Sequence, residues 1–328
     1  MSFSSDSRRT YSEERLAELR DRLSDLREPL ATTGLSIYAT GSYGRLEAWK
    51  ESDIDLFFIY ENSPDFSYLT FLRLGGRLVE VTEEMEFPPF SGDGKYLESL
   101  DAGAMEQILG SRDDDSTNAF TARMLLLLES QPVSDPGRYA ALISRVVGFY
   151  YRDFEGHESD FVPTFLINDI LRFWRTLTLN YEHDRAELGR LEGSEDQLRE
   201  AKAKSAVKNY KLKLSRLSTC FSMVLHLTCD EPPVTARRVA DLCGMTPQER
   251  FSALQGRTDI ADQLLKDLDT KYEAFLTEVQ RPRAELLQSF SDPRHRSDRL
   301  AEASTFGEAI YALIRELASE ERIRRLVL

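Results

Sequence analysis

Two short runs of β-branched and aromatic residues, residues 35–39 (LSIYA) and 54–60 (IDLFFIY), constrain the fold of this chain more than any other feature. A glycine-containing turn and residues 43–50, which predict a short helix, lie between them. Ahead of them Leu16, Leu19, Leu23 and Leu26 recur at three- and four-residue steps, with Glu and Arg between. That spacing predicts an amphipathic helix over residues 12–26, N-capped by Ser12. The order helix, strand, short helix, strand marks an α/β or α+β core.

Residues 65–86 predict a further helix, interrupted at Gly75-Gly76, and the Pro-Gly-rich stretch 88–94 ends it. A brief strand over residues 95–99, a helix over 102–109 and a helix over 117–130 then close the core. Beyond Gln131-Pro132 the chain changes character: helical patterns dominate from Arg138 onward, broken by loops at residues 189–194, 230–234 and 280–297. With 328 residues and 41% hydrophobic content, two domains are expected, residues 1–130 as the core and 131–328 as an all-helical domain.

A formal net charge of -14 argues against broad electrostatic binding to a nucleic-acid backbone. No basic start precedes an apolar stretch, and no apolar run is long enough to span a bilayer, so a cytoplasmic protein with no membrane partner is expected. Cys220, Cys229 and Cys243 share no Cys-x-x-Cys spacing and read as buried free thiols. The four histidines form no zinc-hydrolase pattern, and His226 reads as a helix-packing residue. Neither a P-loop nor a Gly-x-Ser-x-Gly elbow is present.

The chemistry concentrates in two stretches. Thr40-Gly41-Ser42-Tyr43-Gly44-Arg45 follows the first strand, and Ser52-Asp53-Ile54-Asp55-Leu56 opens the second. Side chains alternate along a strand, so Asp53 and Asp55 share one side while Ile54 enters the core. Two neighbouring carboxylates repel unless a cation lies between them, and Mg²⁺ prefers carboxylate, water and phosphate oxygens. Gly41 lets the backbone approach a polyphosphate, the following N–H groups and the Ser42 hydroxyl donate to its oxygens, and Arg45 adds a charge-assisted contact. Asn168, Arg172 and Arg175 form a polar stripe beside the apolar face Leu166, Ile170, Trp174 and Leu177, suited equally to a nucleotide or to salt bridges.

Gly41-Ser42 followed by Asp53-x-Asp55 resembles the signature of the DNA polymerase β-type nucleotidyltransferases. Residues 41–47 (GSYGRLE), 52–56 (SDIDL) and 127–130 (LLES) resemble more closely the bacterial proteins similar to the nucleotidyltransferase domain of PII uridylyltransferase. The resemblance implies an α+β fold, a mixed sheet flanked by helices and followed by a helical domain. It implies transfer of an NMP from an NTP such as ATP to a hydroxyl, with Mg²⁺ or Mn²⁺ held by Asp53, Asp55 and a third carboxylate. Glu98 is the preferred third acid, helping to deprotonate the acceptor, with Asp93 and then Glu86 as alternatives. Lysines of the helical domain reach the triphosphate in such enzymes, and Lys204, Lys208 and Lys211 share one helix face here, Lys208 and Lys211 being the best matches. A protein or small-molecule acceptor suits the acidic chain better than RNA, and synthesis of a nucleotide messenger or modification of a host molecule stays open. The reading from another class is a noncatalytic nucleotide sensor or interaction module.

Overall fold

The computed structural model describes residues 6–61, 66–90, 94 and 97–326. The chain gathers into two compact units, Ser4–Phe161 with Pro232–Thr246, and Val162–Glu231 with Pro247–Leu328. This division does not coincide with the change of pattern after Ser130.

The first unit is built on a four-stranded mixed sheet of β1 (Leu35–Thr40), β2 (Asp55–Tyr60), β3 (Ser99–Asp101) and β4 (Gln131–Pro132), in the order β3-β2-β1-β4. β1 runs antiparallel to β2 and β4, and β2 runs parallel to β3. The register from Leu35↔Tyr60 to Thr40↔Asp55 places Leu35, Ile37 and Ala39 on the same face as Leu56 and Phe58. That face joins a core with Leu16, Leu19 and Leu23 of helix Asp6–Arg22 and Phe71, Leu74, Leu78 and Val81 of helix Tyr68–Glu84. On the opposite face Tyr38 and Phe57 stack at 5.8 Å, and the Tyr38 hydroxyl donates to Ala122 O at 3.0 Å. The helix Ala119–Leu128 therefore covers this side. Arg123 within it is fully buried and is held by both oxygens of Asp114, at 2.7 and 2.8 Å, and by the Tyr150 hydroxyl.

Several boundaries differ from the sequence pattern. Ser12 is no N-cap: the helix begins at Asp6, and the buried Ser12 hydroxyl donates to Arg8 O and accepts from Ala48 N. The helix expected over residues 43–50 is the single turn Gly41–Gly44, which Leu46 at φ 56° does not continue. Gly75-Gly76 does not interrupt Tyr68–Glu84, a helix N-capped by Ser67. The third strand is Ser99–Asp101 rather than residues 95–99, of which Lys95 and Tyr96 lie outside the described residues. Gln131-Pro132, read as a boundary, is the edge strand β4, and the helix Pro136–Gly148 beyond it packs on β1.

The second unit is helical. Thr164–Leu188 precedes a run in which Glu195–Lys211 and Leu217–Cys229 are joined by a π-helical turn, Leu212–Arg216. Ser194 starts the run with a capping box to Gln197. Tyr210, Leu214, Leu225, Leu265, Phe275, Phe306 and Leu313 share its core. The loop expected over residues 280–297 instead contains the helix Arg283–Ser291 and the start of Pro293–Leu317. Its prolines mark helix starts, where the missing N–H costs nothing, and Asp292 caps the second by accepting from Arg294 N. His226 is buried, its Nε2 donating to Arg250 O at 2.8 Å, and all three cysteines are buried thiols outside any disulfide.

Candidate functional site

Thr40 and Asp55 form the last pair of the β1–β2 ladder, so the chain leaves β1 beside the first residue of β2. Gly41, next in sequence, adopts φ 67°, a region that a side chain strongly disfavours. A Cβ built on it would stand 3.1 Å from Asp55 Oδ2, so this carboxylate lies directly against the glycine. Burial alternates across the second stretch: Ser52, Ile54 and Leu56 are buried, Asp53 is exposed and Asp55 half-buried. This is the pattern of two acids on the side away from the core. Ser52 fixes the entry to β2, its N–H donating to Trp49 O at 2.8 Å and its hydroxyl accepting from Trp49 N at 3.1 Å.

The turn after Gly41 is closed by backbone hydrogen bonds from Arg45 N to Gly41 O at 3.1 Å and from Glu47 N to Ser42 O at 2.8 Å. Ser42 stays partly exposed, whereas Tyr43 enters the core edge-on to Phe87, and burial pushes its phenol up. Gly44 is required by contact: a Cβ there would lie 2.1 Å from Glu129 O.

Arg45 departs from the expectation of a phosphate contact. Its guanidinium is buried between two carboxylates, Nε donating to Glu47 Oε2 at 2.8 Å and Nη1 to Glu129 Oε2 at 2.6 Å. An arginine held this way braces the turn from inside.

Glu98 is exposed and immediately precedes β3. Continuing the parallel register Phe58↔Ser99 by one residue sets Glu98 level with Phe57, on the same side as Asp55. Among the described residues no three His, Cys, Asp or Glu side chains converge as a metal-holding group. Glu86 is exposed at φ 57° just past the helix Tyr68–Glu84, and Asp93 lies outside the described residues. Lys208 and Lys211 are exposed on the helix Glu195–Lys211 of the second unit, where Lys208 pairs with Asp184 and Lys204 with Glu200. In the same unit Asn168 is exposed, and Arg172 approaches the buried Asp169 at 3.5 Å. The sequence pattern places Gly44 in the turn and Glu129 in the run 127–130 but links neither to the other. A second glycine three residues after Gly41 is the local sign of a close contact there, and nothing local pairs Glu129 with Arg45, 84 positions away.

Residues 16–117 match the family model described as a nucleotidyltransferase domain. The matched segment holds β1, the Gly41-Ser42 turn, Asp53, Asp55, β2 and β3, and it ends ahead of Glu129. No curated protein matches the chain.

Proposed function

We infer that the sheet unit binds an NTP with a divalent cation at the Gly41-Ser42 turn and transfers its nucleotidyl group to a hydroxyl acceptor, with release of pyrophosphate. The observation that carries this reading is the contact of Asp55 with Gly41. A glycine at φ 67° lying against a carboxylate oxygen leaves a cradle that any Cβ would fill. The donor set suits a hard cation, because Asp53 and Asp55 offer carboxylate oxygens and the polyphosphate offers more.

In this reading Asp53 and Asp55 hold Mg²⁺ or Mn²⁺, and the Ser42 hydroxyl with the N–H groups beside it orients the triphosphate. A cation held there would neutralise phosphate charge and favour ionisation of the acceptor hydroxyl. Glu98, just ahead of the strand that pairs with β2, takes the acceptor proton. Arg45 supports the turn from inside, held by Glu47 and Glu129. The net charge of -14 favours a protein or small-molecule acceptor over RNA. The narrower likeness to the PII uridylyltransferase domain rests on the three short residue runs alone.

The second reading is a nucleotide-binding module without turnover. Incubating the purified chain with labelled NTPs and Mg²⁺ separates the two. The enzymatic reading expects label transfer and pyrophosphate release, falling at least about a hundredfold in Asp53→Ala/Asp55→Ala, the scale on which loss of an active-site charge group acts. Equal release from both proteins defeats it, and tight NTP binding without release selects the module.

A further inference from the structure

We propose that Glu129, outside the segment matched to the nucleotidyltransferase domain, is a positioning residue that holds the Gly41-Ser42 turn in its NTP-binding shape through Arg45. The proposal rests on the reading of this turn as the nucleotide site.

Three contacts of different kinds tie residues 129–131 to the turn. The Glu129 carboxylate receives Arg45 Nη1 at 2.6 Å, and its side chain is fully buried. The Glu129 carbonyl presses on Gly44 so closely that no side chain fits between them. The Gln131 side-chain amide reaches Gly44 O at 3.4 Å, and β4 fastens Gln131 to Ala39, two residues ahead of Gly41. The strap is therefore anchored to the strand that feeds the turn as well as to the turn itself.

Arg45 transmits this hold to the residues facing the ligand. Its N–H closes the turn on Gly41 O, and Glu47, the second carboxylate on its guanidinium, closes it on Ser42 O. With Glu129 in place the guanidinium is gripped from both ends, and the Gly41 and Ser42 peptides have one arrangement to adopt. Removing one member of a buried charge pair is costly when it strands the other. In Glu129→Gln the Arg45 charge stays paired with Glu47, so what is lost is mainly the fixed geometry. The effect should therefore appear in ligand affinity more than in melting temperature. The Leu-Leu-Glu-Ser run at residues 127–130 thereby gains a role: Ser130 serves the local fold, its hydroxyl bonding Leu126 O and the Tyr139 hydroxyl, while Glu129 serves the turn.

The test compares full-length wild type, Glu129→Gln and Ser130→Ala. Glutamine keeps the shape and one acceptor for Arg45 while removing the charge, whereas Ser130→Ala loosens the same strap without touching Arg45. Calorimetric titration with each of the four NTPs in Mg²⁺ should show about tenfold weaker binding for Glu129→Gln, the factor that corresponds to losing one charge-assisted hydrogen bond's geometry. Ser130→Ala should bind as wild type does, even at a lower melting temperature. Without nucleotide, amide hydrogen exchange at residues 41–47 should quicken in Glu129→Gln and not in Ser130→Ala. If wild type binds and Glu129→Gln binds equally well, or if both variants weaken binding in proportion to their loss of stability, this proposal fails alone. If wild type binds no NTP, the nucleotide reading fails and takes the proposal with it.

Discussion

Gly41 and Gly44 sit in one turn and resist substitution for different reasons. At Gly41 the backbone is at φ 67°, and the nearest obstacle to a Cβ is the Asp55 carboxylate, a side-chain group that can swing aside. Gly41→Ala should therefore fold, losing about 1–2 kcal/mol to backbone strain, while the displaced carboxylate lowers NTP affinity. At Gly44 the obstacle is backbone: Glu129 O at 2.1 Å and Ala39 O at 3.2 Å from the Cβ position. Neither can yield without moving β1 or the end of helix Ala119–Leu128, so Gly44→Ala should lose more than the roughly 3 kcal/mol at which ordinary overpacking stops. Urea denaturation of the two variants checks the order, and a Gly44→Ala protein as stable as Gly41→Ala contradicts it. The same turn shows how much of the site can be read from sequence. Gly41, Ser42, Asp53 and Asp55 are legible because a turn and a strand start carry their meaning within a few residues. The fate of Arg45 is not, since its partner Glu129 lies 84 positions away and only folding brings the two together.

Among the elements, β1 and β2 stand out in the sequence because strands buried on both faces are rich in β-branched and aromatic residues, and their observed ends fall within one residue of the pattern. Shorter or more polar elements give no comparable signal. β4 is two residues long and contains a proline, and its pairing with β1 depends on a chain reversal that local composition does not encode. Gly75-Gly76 misleads in the opposite direction: propensity argues for a break, yet Phe71, Leu74, Leu78 and Val81 bury one face of Tyr68–Glu84 and carry the helix through. A consequence follows for stability. A Cβ at Gly75 or Gly76 meets nothing within 4 Å, so alanine there adds helix propensity and restricts the unfolded chain without a steric cost. Gly75→Ala/Gly76→Ala should raise the unfolding free energy by roughly 1–2 kcal/mol, read from the shift in urea midpoint at constant slope. A lower midpoint would mean that the helix needs those glycines for something other than its fold.

At the scale of the whole molecule, the sheet unit is discontinuous in sequence: Pro232–Thr246 belongs with Ser4–Phe161 although seventy residues of the other unit intervene. The returning segment is well buried. Val234, Val239, Leu242 and Cys243 are all nearly inaccessible, and the helix Ala236–Cys243 packs on Pro136–Gly148 and Ala119–Leu128. Its backbone is tied in too, Val234 N donating to Phe161 O and the Tyr151 hydroxyl donating to Val234 O, both at 2.8 Å. Burying one aliphatic side chain contributes about 1.5–3 kcal/mol, and a domain's whole margin is about 5–15 kcal/mol. Losing the segment should therefore take away most of that margin. A fragment of residues 1–161 should bind a hydrophobic dye and melt over a broad range. The same fragment with residues 232–246 rejoined through a flexible linker should melt cooperatively and leave the dye unbound. A fragment of residues 1–130, the domain expected from the sequence pattern, should fare worst, because it also lacks β4 and the helix Pro136–Gly148 that covers β1. Calorimetry on the three fragments decides the matter: if residues 1–130 melt as sharply and at as high a temperature as the rejoined fragment, the returning segment is not part of the folding unit.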